Sequence, residues 1–103
     1  MSTTKAFAAL AEPTRREIVE LIAERGALPA MDIGKRFDAT PAAISQHLRV
    51  LREAGILRVR QTGRRRIYAI EPKAITEVGD WLRRITGQWS GRLERLGREL
   101  EVE

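Results

Sequence analysis

Arginine is the residue type in this 103-residue sequence whose number and spacing could do chemistry. Between Pro41 and Ile70 there are seven arginines and one acidic residue, Glu53, so this window carries +6 while the whole chain carries +5. The seven are Arg49, Arg52, Arg58, Arg60, Arg64, Arg65 and Arg66. A guanidinium group binds phosphate oxygens through two parallel hydrogen bonds, and a localised basic patch is typical of nucleic-acid binding. The window therefore predicts a polyanionic partner.

The sequence offers few residues suited to a catalytic, metal-binding or nucleotide-binding site. The sequence has one histidine and no cysteine, which excludes disulfides, thiolate metal ligands and cysteine nucleophiles. It also lacks the usual glycine-rich phosphate loop. Glu77 and Asp80 could share a helix face, but two carboxylates without histidine or thiolate make a poor transition-metal site. We therefore predict that the protein is not an enzyme and has neither a metal site nor a cofactor.

A helix that begins near Thr40 would position part of the arginine window. Thr40 is a suitable N-cap and Pro41 suits the first helical position, while apolar residues recur at helical spacing to form one buried side. Those apolar residues are Ile44, Leu48 and Leu51, and the opposite side carries Ala42, Ser45, Gln46 and Arg49. Ser45 and Gln46 could exchange hydrogen bonds with bases, and Arg49 could reach a phosphate or a guanine, unless this side is an ordinary solvated face. His47 falls at the core boundary, where it could pack or contact a phosphate.

Two β-prone runs follow and predict a hairpin. Ile56–Gln61 and Arg66–Ile70 flank a turn at Thr62-Gly63, which places arginines at the tip. Side chains alternate along a strand, so Arg64 and Arg66 should share one face while Arg65 takes the other. These arginines could merely keep an exposed strand edge soluble, but three adjacent ones without an acid favour nucleic acid. The predicted contacts from this hairpin include Arg60, Arg64, Arg65 and Arg66.

The remaining helices complete a recognisable fold. Shorter helices are predicted at about Thr4–Leu10, Pro13–Arg25 and Pro29–Phe37, with Met31 or Ile33 turned inward in the third. The predicted fold class is mainly α with a small β-hairpin, in the order α-α-α-α-β-β-α of a winged helix-turn-helix. In that fold one helix enters the DNA major groove, about 12 Å wide, and the hairpin lies against the adjacent backbone or minor groove. With no linker or repeat, residues 1–103 are expected to form one domain.

The last helix carries an apolar seam that calls for a partner. From Pro72 onwards, apolar residues step by three or four positions, close to a coiled-coil pattern, while four glycines weaken the helix by roughly 1 kcal/mol each. We therefore predict that residues 72–100 form a dimerisation helix, which pairs together with the first helix. The predicted interface residues are Phe7, Leu10, Val78, Trp81, Leu82, Ile85, Trp89, Leu93 and Leu96. Trp81 and Trp89 could alternatively line a small-molecule pocket.

Three segments together resemble the ArsR/SmtB family of bacterial winged-helix repressors: Ala9–Val19, Thr40–Leu57 and Thr62–Tyr68. The resemblance implies a homodimer, formed by the first and last helices, that binds an inverted repeat at a promoter and releases it when an effector arrives. It also implies DNA contacts from the recognition helix at Thr40, Ala42, Ser45, Gln46 and Arg49, and from the wing tip at Gly63, Arg64 and Arg65. The cysteine or histidine ligands of the family's metal sensors are missing, so metal sensing is not implied.

The expected partners are double-stranded operator DNA, a second copy of the chain and an unidentified small-molecule effector. No apolar run approaches 18 residues and no export leader is present, so we expect no membrane association and a cytoplasmic location. The alternatives are a winged-helix protein-protein interaction module, whose arginines would meet an acidic protein surface, and a non-specific DNA-binding protein.

Overall fold

A computed structural model describes residues 3–101, with side chains for residues 3–98. The elements are α1 (Thr3–Leu10), α2 (Pro13–Arg25), β1 (Ala27–Pro29), α3 (Ala30–Gly34), α4 (Pro41–Glu53), β2 (Leu57–Thr62), β3 (Arg65–Ile70) and α5 (Pro72–Glu101). The winged helix-turn-helix class is confirmed, with α3 and α4 as the helix-turn-helix and β2-β3 as the wing. One strand, β1, is absent from the pattern that the sequence predicts.

The sheet has three antiparallel strands in the order β1-β3-β2. β1 pairs with β3 through Leu28 opposite Tyr68, and β2 pairs with β3 through Val59 opposite Tyr68. The three residues of β1, which end in proline, are too few to show a strand pattern in the sequence. The strand is stabilised by pairing with β3, about forty positions later in the chain. The strand therefore exists through tertiary pairing.

The wing turns over two residues, Gly63 and Arg64, because Thr62 still pairs with Arg65. Gly63 has φ +62°, and it is the only residue of this turn with a positive φ, as a type II′ hairpin turn requires at its first central position. A side chain at this position would be strained. The glycine therefore allows the tight turn that brings the flanking arginines to the tip.

The core lies between the helix-turn-helix and the inner face of the sheet. α2 and α4 each contribute one buried stripe, as their spacing predicts, and the sheet contributes Leu57 and Tyr68. The largest fully buried side chains are Ile18, Ile22, Ile33, Leu48, Leu51 and Ile56. Burial of a Leu or Ile side chain stabilises the fold by about 1.5–3 kcal/mol. These residues therefore fix α4 against the rest of the protomer.

The third helix is shorter than the sequence pattern predicts. The expected range was Pro29–Phe37, but α3 ends at Gly34 and the chain then turns. Pro29 belongs to β1, and glycine is a poor helix former, which accounts for both ends. Of the two candidates for burial, Ile33 is in the core and Met31 is 76% exposed.

The last helix extends beyond the rest of the fold. α5 has 30 residues, and at about 1.5 Å per residue it is roughly 45 Å long. Its first turns pack on the protomer through Ala74 and Val78, whereas residues 81–90 are exposed throughout. Within the described residues no helix combines the length and apolar character needed to cross a membrane.

Candidate nucleic-acid interface

The N-terminal half of α4 presents a polar face to solvent. The Thr40 hydroxyl oxygen accepts a hydrogen bond from the Ala43 N–H at 3.1 Å, and Pro41 follows as the first helical residue. Ile44, Leu48 and Leu51 are at most 3% exposed, so their burial determines which side of the helix faces the core. As predicted, the other side of the helix is open to solvent, although Ala43 there is half-buried; its exposed residues are Ala42, Ser45, Gln46 and Arg49.

Two of these polar side chains are joined. The Arg49 guanidinium donates a hydrogen bond to Oε1 of Gln46, three positions earlier on the same face. A glutamine reads adenine with both its oxygen and its amide N–H. In this arrangement the oxygen of Gln46 is occupied and its amide group is free to donate. The two residues therefore form one unit, and a bidentate contact from Gln46 requires Arg49 to move.

The one histidine lies elsewhere on the helix. At about 100° per residue, position 47 is roughly 200° around α4 from Ser45 and Arg49. Its Nδ1 atom lies 3.8 Å from a carboxylate oxygen of Glu12, and the imidazole is only 21% exposed. The structure thus places His47 against the start of α2 and not on the face with the other candidate contacts.

One face of the wing is turned towards α4, the recognition helix. Arg66 lines a cleft of about 420 Å³ together with Ser45, Gln46 and Arg49 of α4, above a floor that includes Leu48 and Tyr68. Arg52 also lines this cleft. Arg52 belongs to the basic window, but it is not among the contacts predicted from the sequence. The sequence could have indicated this contact, because Arg52 follows Arg49 by three positions and such residues are neighbours on a helix.

The opposite face of the sheet carries the other arginines of the wing strands. Arg60 stands opposite Ile67, and Arg65 shares that face, which points away from α4. Arg65 lies 4.0 Å from Asp32 of α3, and Arg58 lies 3.9 Å from Glu71. Arg65 and Arg66 lie on opposite faces of the strand, as predicted, but Arg64 is not on the strand face that it was expected to share with Arg66. Arg64 lies in the exposed turn beside Gly63.

Most of this positive charge has no nearby counter-charge. Among side chains of residues 3–98, five arginines of the window lie more than 4.0 Å from any carboxylate oxygen: Arg49, Arg52, Arg60, Arg64 and Arg66. Exposed arginines in this state attract phosphate without first giving up an acidic partner. Arg58 and Arg65 have long, exposed ion pairs, which are worth little in water.

The α1–α2 junction beside His47 is rich in polar contacts. Glu12 caps α2 by accepting a hydrogen bond from the Arg15 N–H at 3.0 Å. Partial burial would by itself raise the pKa of Glu12. Hydrogen bonds from the Thr14 and Arg15 backbone, with the Thr14 hydroxyl and the nearby His47, outweigh it and hold that pKa below its usual value. The carboxylate is therefore charged at neutral pH.

The described residues contain no cluster of three or more histidine, cysteine, aspartate or glutamate side chains that could hold a metal ion. The arrangement that remains is a polar helix face, a cationic cleft beside it and a basic hairpin tip. Its chemistry is that of hydrogen bonding to base edges and of charge attraction to phosphates.

Known proteins share this sequence pattern. The helix-turn-helix domain family matches residues 10–60, from the end of α1 into β2. HTH-type transcriptional regulator Rv2034 of Mycobacterium tuberculosis is 35% identical over 91 residues, and the match covers 84% of this chain and 84% of that protein. Transcriptional repressor SdpR of Bacillus subtilis is 29% identical over 76 residues, covering 74% of this chain and 83% of that protein.

Solved structures share the fold. An ArsR family transcriptional regulator superposes with a TM-score of 0.76 at 32% identity, covering 84% of this chain and 89% of that one. An ArsR-like regulator from Rhodococcus sp. RHA1 also gives 0.76, at 28% identity, covering 90% of this chain and 87% of that one. These matches confirm a DNA-binding transcriptional regulator and not an enzyme. The chain belongs to the ArsR/SmtB family of winged-helix transcriptional regulators.

Proposed function

We propose that this regulator is a homodimeric repressor that binds an inverted repeat at a promoter. The two copies of α4 enter successive major grooves, and the wings lie along the flanking backbone. Half-sites bound in this way are about 34–36 Å apart, one turn of the duplex. The proposal places the protein in the cytoplasm, with the DNA that it regulates.

The observation that carries the dimer is the apolar stripe of α5. Six side chains on one side of this helix are between 45% and 59% exposed in the protomer: Ile75, Leu82, Ile85, Trp89, Leu93 and Leu96. Large exposed apolar patches on soluble proteins mark interaction surfaces. A second copy of α5 offers the same stripe, so two copies can cover each other about a two-fold axis. Leu100 continues the seam but lies beyond the residues whose side chains are described.

The first helix supports the same interface. The rings of Phe7 and Trp81 pack edge to face with centroids 5.3 Å apart, which joins α1 to α5 beside the stripe. Both rings remain more than a third exposed. Leu10 and Val78 are partly buried against the protomer's own core, so their part in the dimer is at its edge. Trp81 is engaged by Phe7, which favours packing over a ligand pocket between Trp81 and the first helix.

The proposed contacts divide into two kinds. Ser45, Gln46 and Ala42 read base edges in the major groove, because they are exposed on the free side of α4. Phosphates are bound by the Thr40 hydroxyl, which can still donate its proton, and by the arginines around the cleft and at the wing tip. Those arginines are Arg49, Arg52, Arg64 and Arg66. Arg60 and Arg65, with Gly63 at the turn, complete the wing, but their face points away from α4.

Selection of duplex DNA from a random pool tests the proposal. A dimeric repressor should enrich a palindrome with half-sites about one helical turn apart, and genomic copies of it should overlap promoters. Recovery of duplexes that share no common motif, bound with a steep salt dependence, would indicate non-specific binding. Failure to retain any duplex in dilute buffer would indicate a protein-protein interaction module. Either result overturns the proposal, as would protection of a single half-site by a monomer.

Support for repression comes from the relatives. The SdpR protein of Bacillus subtilis carries the name transcriptional repressor. The arsenical resistance operon repressor of Escherichia coli is 39% identical to this chain over 66 residues. A reporter gene placed behind the selected operator should be expressed less when the protein is present. Higher expression would indicate an activator.

A further inference from the structure

A polar contact joins the recognition helix to the start of α2. Nδ1 of His47 lies 3.8 Å from Oε2 of Glu12, and among the described residues it has no hydrogen-bond partner although the atom is buried. A buried polar atom without a partner costs free energy, so such atoms in native proteins call for an explanation. Here the explanation lies in the neighbouring carboxylate.

The state of the imidazole decides whether this contact is attractive. A neutral imidazole carries one proton, on either ring nitrogen. If Nδ1 carries only its lone pair, that lone pair faces a negatively charged oxygen, and the contact is unfavourable. If Nδ1 carries a proton, the N–H faces the carboxylate, and a positive ring adds attraction between opposite charges. The geometry therefore favours a proton on Nδ1.

Glu12 is itself firmly held. Its carboxylate caps α2 through the Arg15 N–H, and the guanidinium groups of Arg15 and Arg16 donate to carbonyl oxygens at the end of α1. The bond from Arg16 to the Leu10 oxygen is 2.8 Å long. The same α1 packs on α5 through the pair of aromatic rings. Glu12 thus belongs to the hydrogen-bonded junction of α1 and α2, next to the helix α1 that is assigned to the dimer interface, and His47 connects α4 to it.

The position of His47 on the helix gives the contact its function. Residue 47 follows Gln46 directly but lies roughly 200° around the helix from Ser45 and Arg49. A contact at the imidazole therefore restricts rotation of α4 and so orients the face that meets the DNA, although the imidazole does not lie on that face. The apolar stripe sets the rotation of α4 coarsely, and a polar contact on its flank can restrict the remaining motion.

We propose that His47 is a positioning residue, which binds Glu12 when protonated and holds the reading face of α4 in the orientation that fits the groove. This rests on the proposed reading role of α4. Glu12 is the only carboxylate within 4.0 Å of the imidazole among the described side chains. The neighbouring cleft between α1, α2 and α4 contributes Lys5, Arg15 and Glu53. Histidine is the side-chain type whose charge changes most readily within the physiological pH range.

The test is operator affinity as a function of pH at constant salt. Because the chain has one histidine, His47 is the imidazole group that can make operator binding depend on pH. We expect the wild type to bind its selected operator roughly 3–10-fold more tightly at about pH 6 than at about pH 8. The variant His47→Gln should bind equally at both, near the wild-type affinity at the higher pH. Every other ionisable group is the same in the two proteins, so its contribution cancels in the comparison.

Two changes at Glu12 separate the contact from the helix cap. Glu12→Gln removes the charge and should abolish the pH response. Glu12→Asp keeps the charge and a favoured cap residue but shortens the side chain by one methylene, so it should preserve the folded state and weaken the response. The double variant His47→Gln with Glu12→Gln should bind no more weakly than either single variant, because both changes remove one interaction.

Several outcomes would overturn the proposal. One is wild-type binding that is equal at both pH values, and another is a pH response that persists in His47→Gln. A third is a salt slope flattened by about 0.9 per lost contact in His47→Gln, which would make His47 a direct phosphate ligand. Failure of the wild type to bind any operator at either pH would instead refute the proposed function, so the two failures are distinguishable.

Discussion

The helices α4 and α5 are both amphipathic, but the apolar side of α4 is buried within the protomer and that of α5 is exposed. The stripe of α4 is at most 3% exposed, whereas the comparable stripe of α5 is 45–59% exposed from Ile75 to Leu96. α4 lies between other elements of its own protomer and leaves its polar side free. α5 extends past the protomer and leaves its apolar side free.

This difference separates two kinds of binding surface. The free side of α4 is small, polar and bordered by arginines, and it suits a hydrated, charged groove. The free side of α5 is apolar and regularly spaced, and it suits another helix of the same kind. One protomer therefore supplies one reading face and half of an interface. Changes to α5 should act on assembly, and changes to α4 should act on sequence preference.

The largest effect is expected from a charge placed in the α5 stripe. Trp89→Glu should raise the dimer dissociation constant at least about 30-fold, since an aromatic interface residue contributes roughly 2–4 kcal/mol. The matched control is Gln88→Glu, which adds the same charge about 100° around the helix. Sedimentation equilibrium measures both. Equal effects of the two changes, or a Trp89→Glu protein that stays dimeric, would show that α5 does not form the interface through this stripe.

A smaller effect, confined to base preference, is expected from α4. Gln46→Ala should change the discrimination at one operator position by about 1–3 kcal/mol if the contact is bidentate, with assembly unchanged. Binding to a set of operators with single base changes measures this. Gln88→Ala, the same substitution on α5, should leave the preference as it is. A uniform loss across all bases would remove Gln46 from the base-reading residues.

The arginines on the two sides of the wing should differ as well. Arg66→Ala should weaken binding to every sequence and flatten the slope of log affinity against log salt by about 0.9 per lost phosphate contact, hence about twice that for a dimer. Arg58→Ala is the control, because Arg58 lies on the outer face beside Glu71. Its slope should match the wild type. Equal slopes for the two variants would contradict the assignment of Arg66 to phosphate.

The smallest effect concerns a glycine on the side of α5 away from the apolar stripe. Gly91 lies opposite the stripe, and an added Cβ would meet nothing within 4 Å. Gly91→Ala should therefore stabilise the helix by about 1 kcal/mol and raise the unfolding temperature without weakening the dimer. Thermal unfolding at fixed protein concentration tests this. A loss of dimer in Gly91→Ala would mean that the partner approaches α5 from this side.

Local patterns predicted much of this molecule. Thr40, Pro41 and the repeat of Ile44, Leu48 and Leu51 act over distances of one or two helical turns, so the position and orientation of α4 were readable from the sequence. The placement of Arg65 and Arg66 on opposite faces followed from strand geometry, whereas Arg64 lies in the turn. The candidate contacts named from these patterns on the free side of α4 are all exposed.

Contacts between distant positions were not readable in this way. The strand β1 depends on pairing with β3, and the short α3 depends on where that strand ends. For His47, the sequence pattern predicted only a position at the edge of the buried stripe of α4. Its neighbour Glu12 is 35 positions away, and no local pattern links the two.

The sequence by itself determined the helical and strand periods, the caps and turn of the reading helix and wing, and the concentration of positive charge, because each depends on neighbours along the chain. Only the tertiary structure decided that Arg66 and Arg52 share a cleft with Gln46 while Arg58 and Arg60 face away. It also decided which apolar stripe is covered within the protomer. Burial is a property of packed elements, and a stripe of leucine and isoleucine has the same pattern whether its cover comes from its own chain or from another.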